Sequence, residues 1–261
     1  MSRRDPYVGR PVERLEDLRF LTGRGRYVDD LRPEGLLHAA IFRSSVAHGL
    51  IRSLDVTAAR ALPGVHAVIT ASDIDEKVPA IPSRMEPNPD LARFEQPVIA
   101  HRKVRYVGEP MVLVVAESAA LAEDAVGTIL ADIDPLPVVT SRETSESGTV
   151  LLFEEDGTNR AITLTAVRGD AEAAMREADY VRRERLRVQR HTALPMETRG
   201  LLAEWDAGAS RLTISGLMKV PFAIRALLAR VMNLPEDPST PWKATAAAAS
   251  ACAANSTLRT S

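Results

Sequence analysis

The chain has 261 residues, of which 45% are hydrophobic and 26% charged, with a formal net charge of -2. That balance describes one large or two ordinary globular domains and excludes a disordered chain. It offers no global basic field for nucleic acid or a membrane surface, and no apolar stretch approaches membrane-spanning length.

The opening Met1-Ser-Arg-Arg-Asp-Pro has charge with no apolar run behind it, so no secretory signal is read there and the cytoplasm is the expected compartment. The first clear element is a buried strand within 35–43, an apolar run. Thr57 is expected to cap a short helix ending at Pro63-Gly64, and 65–70 supplies another strand. The stretch 78–97 carries Pro79, Pro82, Pro87, Pro89 and Pro97 and reads as a surface loop. Residues 111–116 form a continuous β-branched strand. Ser118 caps a helix over 119–131, with Leu121, Ala125 and Ile129 at helical spacing. The polar stretch 141–149 reads as a linker.

A second unit begins near Ala161. Asp170 caps a helix over 171–178, and 180–190 has a long strand pattern that would place Arg183, Arg185 and Arg187 on one face. Residues 201–205 and 211–215 form a strand pair around the turn that starts at Asp206. Pro221 then opens a helix that carries Leu227, Leu228 and Val231 on one side and stops near Asn233. Interleaved helices and antiparallel pairs make the fold α+β.

Chemistry is harder to find. The five histidines (His38, His48, His66, His101, His191) are isolated, without the i, i+4 pairing of a metal helix. Gly23-Arg-Gly25 lacks the third glycine of a dinucleotide loop, and Arg168-Gly-Asp170 reads as a turn ending in a helix cap. The basic run 182–187 is a solvated face or a surface for an acidic partner, not a DNA-binding site. The single cysteine, Cys252, lies near the C-terminus, so the body has no disulfide and no thiolate ligand. No catalytic, cofactor-binding or metal-binding residue is assigned from the sequence.

Several segments in order resemble the molybdopterin-binding large subunit of the xanthine dehydrogenase and aldehyde oxidase family, in particular subunits like that of aerobic carbon monoxide dehydrogenase. They are Val8-Gly-Arg-Pro-Val-Glu-Arg-Leu-Glu-Asp17, Leu21-Thr-Gly-Arg-Gly-Arg-Tyr-Val-Asp-Asp30, Arg43-Ser-Ser-Val-Ala-His48, Pro63-Gly-Val65, Val104-Arg-Tyr-Val-Gly-Glu-Pro110 and Ala122-Glu-Asp-Ala125. Further on, Arg168-Gly-Asp170, Ala178-Asp179, Pro195-Met-Glu-Thr-Arg199, and Val220-Pro221 with Arg225 resemble the opening of the cofactor domain. Met218-Lys219 stands where many members have Gln, so the substrate is not read by analogy and carbon monoxide is disfavoured.

The resemblance implies a hammerhead-like α/β domain over 1–145, expected to fold alone, and an incomplete start of the molybdopterin-binding domain over 146–237. It implies an oxidoreductase that hydroxylates or oxidises an aldehyde, N-heterocycle or similar small substrate with water-derived oxygen. The cofactor would be molybdenum-molybdopterin in its cytosine dinucleotide form, and the partners an iron-sulfur subunit and an FAD subunit. This chain is expected to be inactive alone, because the cofactor loops and the family's glutamate lie beyond it. The alternative is a non-catalytic module that binds the iron-sulfur or flavin subunit.

From Pro238 the character changes to Pro-Ser-Thr-Pro-Trp-Lys and then an alanine-rich run with no acid, Val, Ile or Phe, and 238–261 is expected to be out of frame. Joining each codon's third base to the next two allows Pro-Val-His-Ala-Val-Glu-Gly-Asp-Gly-Gly-Gly-Gly-Phe-Gly, which resembles the family's glycine-rich cofactor loop.

Overall fold

The computed structural model describes residues 9, 11–15, 17–74, 78–82, 88–189, 199–216 and 220–234. The alanine-rich 238–261, Met218-Lys219, His191 and 195–198 lie outside the described residues. In chain order the elements are α1 (Asp17–Leu21), β1 (His38–Arg43), β2 (Gly49–Asp55), α2 (Thr57–Ala61), β3 (Val65–Thr70), β4 (Ala80–Ile81), α3 (Pro89–Ala92) and β5 (Gln96–Pro97). There follow β6 (Lys103–Val104), β7 (Pro110–Ala116), α4 (Ala119–Gly127), β8 (Leu130–Pro135), α5 (Arg142–Ser147), α6 (Ala171–Glu177), β9 (Leu201–Asp206), β10 (Arg211–Gly216) and α7 (Pro221–Val231). The fold is mixed α+β.

The chain divides into two compact units, one comprising Glu34–His191 with Arg230–Leu234. Its centre is β7, which pairs antiparallel with β1 on one side and β3 on the other. A second antiparallel sheet has the order β6-β2-β8. The core gathers Met111, Val112 and Val114 of β7 with Val104, Ala59, Ala125 and Ile129. Small residues let α4 approach its sheet closely: Ala122 of the helix meets Ala40 of β1 and Ala116 of β7. Gly49 is needed for close approach too, since a Cβ there would lie 2.6 Å from Ile133 Cγ2 and 2.8 Å from the Asp134 carbonyl on β8.

Several boundaries differ from the sequence expectation. The α4 helix stops at Gly127, because 130–135 is recruited as strand β8 against β2. β1 is half-buried, with Ala40 inward and Ala39 and Ile41 exposed, as befits the edge of a three-stranded sheet. At α2 Thr57 is the first helical residue and Val56 the cap, without a side-chain cap bond; Asp55 Oδ1 accepts the Thr57 N–H at 2.9 Å, which holds the Asp55 carboxyl below its ordinary pKa. The expected linker folds as α5, with Ser141 Oγ accepting the Thr144 N–H at 3.1 Å and Gly148 in the left-handed conformation closing it. The proline-rich 78–97 is irregular where described, apart from α3 and the two-residue pair β4–β5.

The other unit takes in the residues before Glu34 and those from Thr192 to Ala229. Its β9–β10 hairpin turns where expected, the Asp206 carboxylate accepting the Ala209 N–H at 3.0 Å. Asn233 is left-handed just after α7.

Met111 and Ser118 separate core from cap energetics. Met111→Ala should cost about 2–5 kcal/mol, because Met111 is fully buried. Ser118→Ala should cost about 1 kcal/mol through loss of the cap to Leu121 N–H. Urea unfolding monitored by circular dichroism checks the order; equal losses would contradict this placement of the core.

Candidate functional site

Two of the motifs read from the sequence, 43–48 and 104–110, meet at the mouth of β7. The Ser44 N–H donates to the Glu109 carbonyl at 2.9 Å, and the Gly108 N–H donates to the Ser44 carbonyl at 2.8 Å. Arg43 Nη1 adds a bond to the Gly108 carbonyl at 2.9 Å. Gly108 sits at φ 90°, a backbone region that side chains rarely adopt, so glycine is what permits the turn from Tyr106 into β7. On the facing loop, the Ser44 hydroxyl closes a local turn by accepting the Val46 N–H at 3.0 Å.

Buried ionisable groups follow from this turn. Glu109 is fully buried, and its Oε2 accepts the Arg105 N–H at 2.5 Å while Oε1 has no hydrogen-bond partner. Burial pushes its carboxyl above the ordinary glutamate range; the Arg105 N–H and the Arg105 charge oppose that shift without cancelling it. Tyr106 next to it is also pushed up, by burial first and then by the Glu109 charge.

His48 is buried beside β2, with Nδ1 2.7 Å from the Pro137 carbonyl. A carbonyl only accepts, so Nδ1 carries the proton, and Nε2 is left buried without a partner. Lys103 of β6 is the third buried ionisable group, and its Nζ lies 2.5 Å from Glu154 Oε2. That bond chiefly holds the Glu154 carboxyl below its ordinary range, with the charges of Lys103 and Arg105 acting in the same sense.

The remaining histidines play smaller parts. His66 lies 3.5 Å from Glu117 at the surface, His101 is exposed, and His38 is half-buried on β1. Among the described residues no group of three or more His, Cys, Asp or Glu side chains could hold a metal. A cleft of about 240 Å³ lies nearby, lined by Phe42, Ser44, Val46, Met111, Asp132 and Ile133 with their neighbours. Neither unpartnered buried atom belongs to a lining residue, and the cleft reaches the 105–109 turn only through Arg43 and Ser44. The arrangement can fix loops and store a buried proton; it has no nucleophile with an adjacent base.

The motifs that meet here are matched by a domain model described as the aldehyde oxidase and xanthine dehydrogenase a/b hammerhead domain, over 22–137. A second, the molybdopterin cofactor-binding domain, follows over 152–238. The chain belongs to the xanthine dehydrogenase and aldehyde oxidase family. Among relatives, it is 37% identical to the nicotine 6-hydroxylase large subunit of Paenarthrobacter nicotinovorans, over 89% of this chain and 28% of that one. It is 32% identical to the carbon monoxide dehydrogenase large chain of Afipia carboxidovorans, over 88% and 29%.

Solved structures agree. A Cu,Mo-dependent carbon monoxide dehydrogenase superposes with a TM-score of 0.75 at 30% identity, covering 87% of this chain and 30% of that one. Quinoline 2-oxidoreductase from Pseudomonas putida gives 0.71 at 35% identity, covering 87% and 29%. The chain therefore spans about 30% of the length of the proteins it matches most of the way along.

The family's members bind molybdopterin, so the stretch after 152 is where a cradle would be sought. Among the described residues, the buried side-chain atoms awaiting a partner are His48 Nε2 and Glu109 Oε1, both in the hammerhead region. The described part of the cofactor-binding stretch presents no such donor set, and its residues 163–172 and 174–189 are exposed.

Sequence reading missed the convergence of Glu109, His48, Lys103 and Glu154. A visible signal was present: Lys103 and Glu109 each flank strongly apolar strand residues, where a charge needs a specific partner.

A pH series on Glu109 tests the site. The raised folded pKa means Glu109 contributes stability below the ordinary carboxylate range, and that contribution is lost as pH rises through the folded value. Glu109→Gln should thus equal or exceed the wild-type melting temperature at pH 7, with the gain vanishing near pH 4. Glu109→Ala, which strands the Arg105 N–H, should lose about 1–3 kcal/mol at either pH. A Gln variant that is less stable at pH 7 than at pH 4, relative to wild type, would refute the assignment.

Proposed function

We propose that this chain is the N-terminal part of a molybdenum hydroxylase large subunit. The complete protein would place water-derived oxygen on the carbon of an aldehyde, an N-heterocycle or a similar small molecule. The observation that carries this reading is the order of the two domain matches, hammerhead and then cofactor-binding, on a chain spanning under a third of its relatives' length. The cofactor supplies the redox chemistry in such an enzyme, while the protein supplies position and electrostatics. In the full assembly it would be molybdenum-molybdopterin, in the cytosine dinucleotide form, with electrons leaving to an iron-sulfur subunit and an FAD subunit in the cytoplasm.

On this reading the chain alone is inactive and holds no cofactor. Expressed with molybdate in a host that makes the cofactor, the purified chain should carry far less than one molybdenum atom per polypeptide by inductively coupled plasma mass spectrometry. A stoichiometric metal signal would overturn the inactivity. A second reading, a non-catalytic interaction module, draws on the closed core of the hammerhead unit and on exposed apolar side chains such as Leu201 and Phe222. It gains support if a relative's iron-sulfur or flavin subunit co-purifies with the chain.

The domain division stays as 1–145, 146–237 and 238–261, the last out of frame. Its support is compositional, together with the end of the cofactor-binding match at 238. Sequencing the DNA from the Met232 codon across the stop should show the glycine-rich loop continuing in a second frame. A second frame filled with stops would instead make the alanine tail native.

A further inference from the structure

The hammerhead match ends at 137 and the cofactor-binding match begins at 152, yet the chain just after that junction is fastened back onto the hammerhead. Five contacts do this. Lys103 Nζ meets Glu154 Oε2 at 2.5 Å, and Arg105 Nε donates to the Leu152 carbonyl at 2.9 Å. The Arg105 guanidinium also lies 4.5 Å from the centre of the Phe153 ring, which packs edge-on against Phe94 at 5.4 Å. Arg93 Nε approaches Asp156 at 3.6 Å.

The segment is shaped to take these contacts. Asn159 closes it into a loop, accepting the Leu152 N–H at 2.9 Å through Oδ1 and donating to the Val150 carbonyl at 2.7 Å through Nδ2. Gly157, left-handed at φ 65°, ends a short turn over Glu154–Asp156.

The asymmetry of the Lys103–Glu154 pair matters most. The Lys103 side chain is 8% exposed and the Glu154 side chain 57%. A surface pair is worth little because either partner can return to water, but a buried ammonium that loses its carboxylate stays desolvated and unpaired. Release of 150–159 therefore leaves an uncompensated charge in β6. That strand continues directly into Arg105, whose N–H holds Glu109.

We propose that 150–159 is an electrostatic latch whose closure is energetically coupled to β6 and the 105–109 turn, so that the start of the cofactor-binding stretch and the mouth of β7 open and close together. On this view the hammerhead's folding unit reaches past the sequence boundary at 145 to Asn159. The inference is independent of whether the chain binds molybdenum.

Hydrogen exchange with mass spectrometry on the full chain at pH 7 tests it. Glu154→Gln should speed exchange by about tenfold or more in peptides covering 150–159 and also in those covering 103–109, with β7 unchanged. Lys103→Met combined with Glu154→Gln removes the buried charge with its partner, and should return 103–109 to near wild-type protection. Two results would overturn the latch: faster exchange confined to 150–159 in Glu154→Gln, or a double variant at least as exposed over 103–109 as the single one. Faster exchange in β7 as well would also overturn it, since that reports global loss of the fold instead of local coupling.

Discussion

The hammerhead unit depends on one strand being buried among apolar neighbours while both its edges are paired. β7 exchanges backbone hydrogen bonds with β1 and β3, and Met111, Val112, Val114 and Ala116 are completely removed from water. A strand so placed accepts no charge along its length, and so the polar groups of the chain are displaced to its ends. Helix α4 can then pack close because alanines meet at its contact with β1 and β7, and the chain returns as β8 by pairing with β2. Each of these choices follows from the need to seal a single central strand.

The consequence is felt at the mouth of β7, where the chain has to turn sharply while its polar groups lose water. Gly108 provides the backbone conformation, and Ser44 supplies both a donor and an acceptor across the gap. Glu109 is the residue drawn inside by this geometry. Its carboxyl is left half-satisfied, with Arg105 bonding one oxygen and nothing bonding the other. Lys103, two positions before Arg105, is drawn in by the same burial of β6. Its charge is compensated from outside the sheet by Glu154, and the latch segment and the hammerhead are thereby tied through a single desolvated ammonium.

Where the deciding information was local, the sequence showed it. The caps at Ser118 and Asp170 and the Asp206 turn rest on neighbours within a few residues, and the largely apolar runs of β3 and β7 mark strands by composition although their partners lie far along the chain. The end of α4 was not legible in this way, because 130–134 holds no Gly or Pro and becomes a strand only through pairing with β2, ahead of Pro135. The polar stretch with Ser141 and Gly148 carried the capping signals of a helix, but no apolar periodicity drew attention to them. The polar cluster was out of reach for another reason. His48 and Pro137 are separated by 89 positions and Lys103 and Glu154 by 51, so only the folded topology unites them.

The stretch 180–190 sharpens the distinction between pattern and pairing. It alternates like a strand, yet its described residues form none, and Tyr180, Val181, Leu186 and Val188 all face solvent. Its charges find other partners: Arg182 pairs with Glu184 close by, and Arg185 reaches Glu143 of α5 at 3.5 Å. An alternating sequence specifies which side chains share a face, but the hydrogen bonds that make it a strand belong equally to a neighbour. β7 has two such neighbours and a helix to cover it; 180–189 has neither among the described residues. Composition separates them too: β7 is apolar throughout, whereas 180–190 carries five arginines and a glutamate, charges that favour water over a core.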